Sequence, residues 1–207
     1  MQATVAHQTF SYDKLSDDAK EVAREWYRDQ LANDPMDHLH ELLDDSLRHD
    51  HGLDDCRLSF SLSYCQGDGV AFEGKPDIDE WAKRDDGIKA RMAAMTIEAV
   101  STGAEWELCV SIAHEGRYSH WNSMQVHVEI NDYYEDNLRN ADPWEEIELD
   151  RMAAELEEYL NEAVKEISRK LEALGYDEIE YQQSDEVIEG LLSDSTYLFD
   201  EDGEFVK

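Results

Sequence analysis

Basic residues are scarce in this sequence. It holds 18 Lys and Arg against 51 Asp and Glu in 207 residues, a formal net charge of −33. A chain of that sign repels nucleic acids and anionic membrane surfaces, which argues against direct nucleic-acid binding or attachment to a membrane face. Cysteine is scarce too. Cys56, Cys65 and Cys109 are odd in number and lack metal-ligand spacing, which excludes a disulfide framework and fits reduced thiols in a cytosol. No apolar run approaches the roughly 20 residues of a membrane span. The opening MQATVAHQTFSYDKL lacks the basic and apolar regions of a secretion signal. The expected setting is therefore the cytoplasm, with no membrane partner.

What the chain does contain is enough to fold. Hydrophobic residues make up 41% and aromatic residues 10%, including five Trp and ten Tyr, which is incompatible with global disorder. The length suits one domain over 1–207 with a sizeable core. An acidic surface with eight Lys and ten Arg also fits adaptation to high salt, but the many bulky aromatics fit that reading less well.

Periodicity predicts an α+β fold. Residues 1–12 read as an extended arm, and Ser16 opens a helix with Asp17 and Asp18 in its first turn, where carboxylates suit the positive end of the dipole. Val22, Trp26 and Leu31, with Ala19 and Tyr27, form its apolar stripe. Asn33-Asp34-Pro35 interrupts the chain before a second helix over 36–48. Residues 57–65 alternate apolar and Ser as a half-buried strand, Gln66-Gly67-Asp68-Gly69 turns, and Val70-Ala71-Phe72 returns. A helical stretch runs from Pro76 to about Val100, with a possible break at Asp85-Asp86-Gly87. Strands follow at 105–113 and 123–130, joined by a loop. Four strands in two hairpins imply a small antiparallel sheet with helices on one face. A long helix over 144–174, with Gly175 as its cap, carries Leu149, Met152, Leu156, Leu160, Ala163, Ile167, Leu171 and Leu174 at three- and four-residue spacing. A shorter helix near 184–193 and a turn at Asp202-Gly203 close the chain.

The acidity is uneven. Residues 132–207, the acidic helical C-terminal portion, hold 25 acidic and 6 basic residues, a local charge of −19. On the long helix Glu146, Asp150, Glu158, Glu162 and Glu166 share one four-residue row, interrupted by Ala154. Such carboxylates stand about 6 Å apart along the axis, and like charges at that spacing cost a few tenths of a kcal/mol each. A row of this kind is either a solvated helix face or a functional surface. As a surface it offers a charge density comparable to phosphates rising about 3.4 Å per residue on one DNA strand. With Asp185, Glu186, Asp200, Glu201 and Asp202, it forms the candidate partner-binding face.

Chemical motifs are weak beside this. His38, His40, His49 and His51 lie among carboxylates, but His38 and His40 point apart on a helix; only His49 and His51, at a helix end, could share an ion. Hydrogen bonding suits His114, His120 and His127 better than catalysis, and no spacing requires Cys65 and His114 to act as a nucleophile pair. No catalytic residue, metal or cofactor is assigned. The alternative to an acidic binding face is a small-molecule or nucleotide pocket at the sheet end. Gln66, Asp68, Arg117, Tyr118, His120 and Trp121 would line it, and Arg117 would meet a phosphate.

Several motifs together resemble a known family. They are Phe10-x-x-x-x-Leu15-Ser16-Asp17-x-Ala19-Lys20, the Trp26-Tyr27 pair, Gln66-Gly67-Asp68-Gly69-x-x-Phe72-x-Gly74, His114-x-Gly116-x-Tyr118-x-His120, Val126-His127-Val128-Glu129 and Phe199-x-Glu201-Asp202-Gly203. In this order they resemble a widespread family of small proteins from tailed phages and prophages. The chain departs from that pattern at Cys65 and Val70, where the family carries a small polar and a small residue. The family has no established activity, so the resemblance supplies no catalytic residues. It implies an accessory phage product in the host cytoplasm. Joined to the charge, it gives the expectation of a non-enzymatic inhibitor of a basic host protein that handles nucleic acid or serves in defence, acting as a DNA mimic. Self-association into a homodimer is left open.

Overall fold

A computed structural model describes residues 8–31, 37–102, 106–132 and 143–206, with the side chains of 37, 98–102, 106, 131–132 and 143–147 left aside. The fold is α+β, and the chain forms two compact units. One comprises 1–37 with 176–207, the other 38–175.

In the first unit, helix α1 spans Asp17–Leu31. Ser16 starts it as expected: its hydroxyl oxygen accepts the Ala19 N–H at 3.3 Å. The apolar stripe differs from expectation. Val22 is 38% exposed, whereas Ala19 and Ala23 are buried. At Gly203 the backbone takes φ 90° and comes down on the Ala19 carbonyl, so a Cβ there would overlap it. The glycine is what lets the two backbones approach so closely. Helix α6, Asp185–Asp194, is capped by Ser184 and supplies Ile188 and Leu192. These pack with Tyr12, Leu15 and Phe199 into the unit's core. Phe199 pairs with Phe10 on one side and Phe205 on the other.

The second unit is built on a four-stranded antiparallel sheet in the order β1-β2-β3-β4. Helix α2, Asp37–His49, precedes β1, Cys56–Ser61, and β2, Gly69–Gly74. Asp85-Asp86-Gly87 does break the next helical stretch, into α3, Ile78–Ala82, and α4, Asp86–Thr102. The side chain of Asp77 accepts the Asp79 and Glu80 N–H groups to start α3, and that of Asp85 accepts those of Gly87 and Ile88 to start α4. Strands β3, Trp106–His114, and β4, Met124–Asp132, form the second hairpin. The hairpins pair along their whole lengths, from Cys56↔Gly74 to Ser61↔Gly69 and from Trp106↔Asp132 to His114↔Met124. Between them the register holds a single pair, Gly74↔Ile112. Two residues before Gly74, the Phe72 N–H points at Met124 Sδ, 3.1 Å away.

Helix α5 spans Pro143–Gln182 and does not stop at Gly175. Gly175 is buried mid-helix, where a Cβ would run into the Leu62 side chain. The glycine therefore marks close packing, not a cap. Leu149, Ala153, Leu156, Leu160, Val164, Ile167 and Leu171 form the buried face of α5 within this unit, each of the larger side chains worth about 1.5–3 kcal/mol on burial. The helix also seals the edge of β4. Asn161 Oδ1 accepts the Val126 N–H and Glu157 Oε2 accepts the Val128 N–H, both at 2.9 Å. An otherwise bare strand edge is thus covered.

Candidate functional site

Of the predicted acidic row, Asp150, Glu158, Glu162 and Glu166 are exposed on α5, while the side chain of Glu146 lies outside the described residues. The row is partly neutralised by its own helix. Glu162 pairs with Lys165 and Glu166 with Lys170, each at 2.7 Å, and these ammonium groups draw both carboxyls below the usual glutamate range. Asp150 and Glu158 have no ion-pair partner among the described residues. Beside them Arg151 is held between Glu148 and Glu155.

The other predicted acidic residues belong to the first unit. Asp185 pairs with Arg28, and Asp200 Oδ1 accepts the N–H groups of Asp202 and Glu204 at 3.0 Å each. Asp200 therefore shapes the closing turn, whereas Glu186, Glu201 and Asp202 are exposed.

The turn at 66–69 and the loop at 114–121 do come together, but they are tied to each other. Asp68 is 7% exposed. Its Oδ2 accepts the N–H groups of Ser63 at 2.6 Å and Cys65 at 2.8 Å, and its Oδ1 accepts the Ser61 hydroxyl at 2.9 Å and the Cys65 thiol at 3.1 Å. Burial alone would raise this carboxyl; the four hydrogen bonds outweigh it and hold the group well below the usual aspartate range. The two backbone donors flank Tyr64, a non-glycine residue at φ 56° with its side chain 65% exposed. Asp68 thus clamps a strained turn. The Tyr118 ring lies over Gly67, where a Cβ would stand 2.7 Å from it, and Arg117 stacks on that ring at 4.7 Å.

The histidines of this loop are also occupied. His114 Nε2 donates to the Tyr118 carbonyl at 2.9 Å, and His120 Nδ1 accepts the Asn122 N–H at 3.1 Å. Trp121 carries Arg169 of α5 on its face at 4.2 Å, a neighbour no sequence spacing indicated. Gln66 is exposed in the turn. The cluster has little nucleophilic character. Its hydrogen bond to Asp68 pushes the Cys65 thiol up, away from thiolate. Burial pushes Cys56 to about 12.

Two concave sites of this unit lie away from the cluster. A groove of ≈ 600 Å³ runs beside β3, between residues 75–79 and α4. A smaller one of ≈ 290 Å³ lies around His51, Trp81, Arg84, Tyr159 and Lys170. There burial, and then Lys170, lower the His51 pKa. No group of three or more metal-ligating side chains occurs among the described residues, and none of their helices is long and apolar enough to cross a membrane.

The family described as Domain of unknown function (DUF8835) matches residues 26–189. The chain belongs to that family. The match includes the whole sheet, both halves of the Asp68 cluster and α5, and stops before the closing turn. No curated protein and no solved structure matches the chain.

Proposed function

We propose that this chain is a non-enzymatic, phage-type inhibitor that binds a basic host protein, one that handles nucleic acid or serves in defence, by presenting carboxylates where that protein expects phosphates. The observation that carries the reading is the exposed row on α5, in which Asp150 and Glu158 have no cation partner among the described residues. The loss of candidate catalytic groups to internal bonds supports it. Asp68, His114 and His120 are consumed in holding the turn and loop, which leaves the alternative of a nucleotide pocket there with few free polar groups. The setting this implies is the host cytoplasm.

Attraction between exposed charges weakens as salt shortens the Debye length, from about 10 Å at 0.1 M to about 3 Å at 1 M. The test is capture of host nucleic-acid-binding proteins on the immobilised full chain at low and high salt. Retention should fall steeply with salt, and Asp150→Lys with Glu158→Lys should weaken it about tenfold. Retention indifferent to both changes would refute the proposal. Loss of retention in Arg117→Ala or His120→Ala, with folding intact, would favour the loop cluster instead.

A further inference from the structure

Strand β3 is fully paired on one side and almost bare on the other. In an antiparallel ladder, residues directly opposite each other either exchange both hydrogen bonds or both face outward. The Val126 and Val128 N–H groups face outward, to Asn161 and Glu157. Their opposites, Ile112 and Val110, therefore turn their own N–H and C=O groups away from β4, and so does Leu108, opposite Ile130. Ile112 meets Gly74 of β2. There β2 ends, the chain leaves through Lys75 and Pro76, and proline has no N–H to offer. Among the described residues Leu108 and Val110 have no backbone partner on that side. The ≈ 600 Å³ groove lies along this bare edge and takes in every residue from Glu107 to Ser111, a length of about 13 Å at roughly 3.3 Å per residue.

We propose that this slot receives an extended, lysine-rich segment of a partner protein, which adds as a strand beside β3 at Leu108 and Val110. The unpaired backbone supplies the ladder bonds, as in other cases of strand addition. The walls select the charge: Asp77, Asp79, Glu107 and Glu129 line the groove against one cation, Lys75. Met92 of α4 and the Leu108 side chain give it an apolar wall for alternate side chains. The site goes beyond the acidic face of α5 and does not depend on it.

The probe is an acetylated, amidated, fluorophore-labelled heptapeptide of alternating lysine and valine, titrated into the full chain by anisotropy. Its backbone N-methylated twin keeps the charge but loses the ladder donors. The unmethylated probe should saturate and the methylated one should bind at least about tenfold more weakly. Thr96→Trp, which fills the groove from α4, should weaken binding comparably; Glu107→Lys with Glu129→Lys is the exposed-site counterpart should the first variant melt early. Asp150→Lys with Glu158→Lys should leave probe binding unchanged. In the free chain the Leu108 and Val110 amides should exchange with solvent faster than those of Cys109 and Ser111, and the probe should slow them. Equal binding of both probes, or Leu108 and Val110 amides already as protected as their neighbours, overturns the proposal. Probe binding lost only in the α5 variant also overturns it, while leaving the acidic-face reading standing.

Discussion

Replacing Asp68 by Ala and by Asn should separate two contributions to the strained turn. Alanine removes both carboxylate oxygens and leaves the Ser63 and Cys65 N–H groups, now bonded at 2.6 and 2.8 Å, without an acceptor. A buried donor stripped of its partner costs about 1–3 kcal/mol. Water reaches this turn through exposed Cys65, so the low end applies to one of the two and the total is about 3 kcal/mol. Asparagine keeps one carbonyl oxygen for both backbone donors, and the Ser61 hydroxyl can rotate to accept from the new amide. The charge and the weak Cys65 thiol bond are lost, at about 1 kcal/mol. Native-state hydrogen exchange at the β1–β2 amides measures both values locally, without assuming that the two compact units unfold together. The pH dependence supplies a second check. The folded carboxyl sits below its unfolded value of about 3.9, so its contribution is complete above that pH and is lost as pH falls through the folded value. The gap between wild type and Asp68→Asn should therefore be constant at neutral pH and close in acid. If Asp68→Ala were within 1 kcal/mol of wild type, or equal to Asp68→Asn, the clamp reasoning would be wrong.

Three further outcomes are expected. Gly203→Ala forces a side chain against the Ala19 carbonyl at a positive φ and should cost at least about 2 kcal/mol, read as early loss of structure in α1 and α6 by amide exchange. Asn161→Ala strands the Val126 N–H and should cost about 1–3 kcal/mol; faster exchange at Val126 with Val128 unchanged would confirm that the edge is sealed residue by residue. His51 has its folded pKa lowered by burial and Lys170, so its stabilising effect is complete above the ordinary histidine value of about 6.5 and erodes as pH falls below it. Urea melts of wild type and His51→Gln should therefore diverge below that pH, with the wild type losing more.

Periodicity located the strands and helices because their apolar faces are what the sheet and its helices bury. Leu58, Val110, Ile112 and Val126 are buried where alternation placed them. It failed where a small residue acts by letting chains touch. Gly175 looks like a helix cap, and only the Leu62 side chain above it gives its role away. On α1 the stripe included Ala19, which is buried, but also Val22, which is 38% exposed, and it left out the buried Ala23. The loop cluster was legible as a gathering of polar and aromatic residues, but not as a closed one, since no spacing says that Asp68 faces Ser63 and Cys65 across the turn. Glu157 and Asn161 left no signal either: read along α5 they are ordinary polar positions, and their role depends on which strand lies beneath. Pro76, two residues after β2, was the one mark of the bare edge on β3.

These assignments change how the net charge of −33 should be read. A carboxylate that caps a helix or clamps a turn is already spent on the protein's own N–H groups, as Asp68, Asp77, Asp85, Glu157 and Asp200 are. One paired with a lysine a turn away, such as Glu162 or Glu166, presents a dipole to a partner more than a charge. Of the predicted acidic face, the carboxylates able to attract a basic surface are the exposed ones without such duties among the described residues, Asp150 and Glu158 in one unit and Glu186, Glu201 and Asp202 in the other. The groove beside β3 differs in kind. Three of its four carboxylates, those of Asp79, Glu107 and Glu129, have no such duty and stand around unpaired backbone, so charge would recruit a segment and the strand edge would hold it. Charge reversal on α5 should then act mainly on the rate and salt dependence of association, whereas blocking the β3 edge should act mainly on how long a bound segment stays.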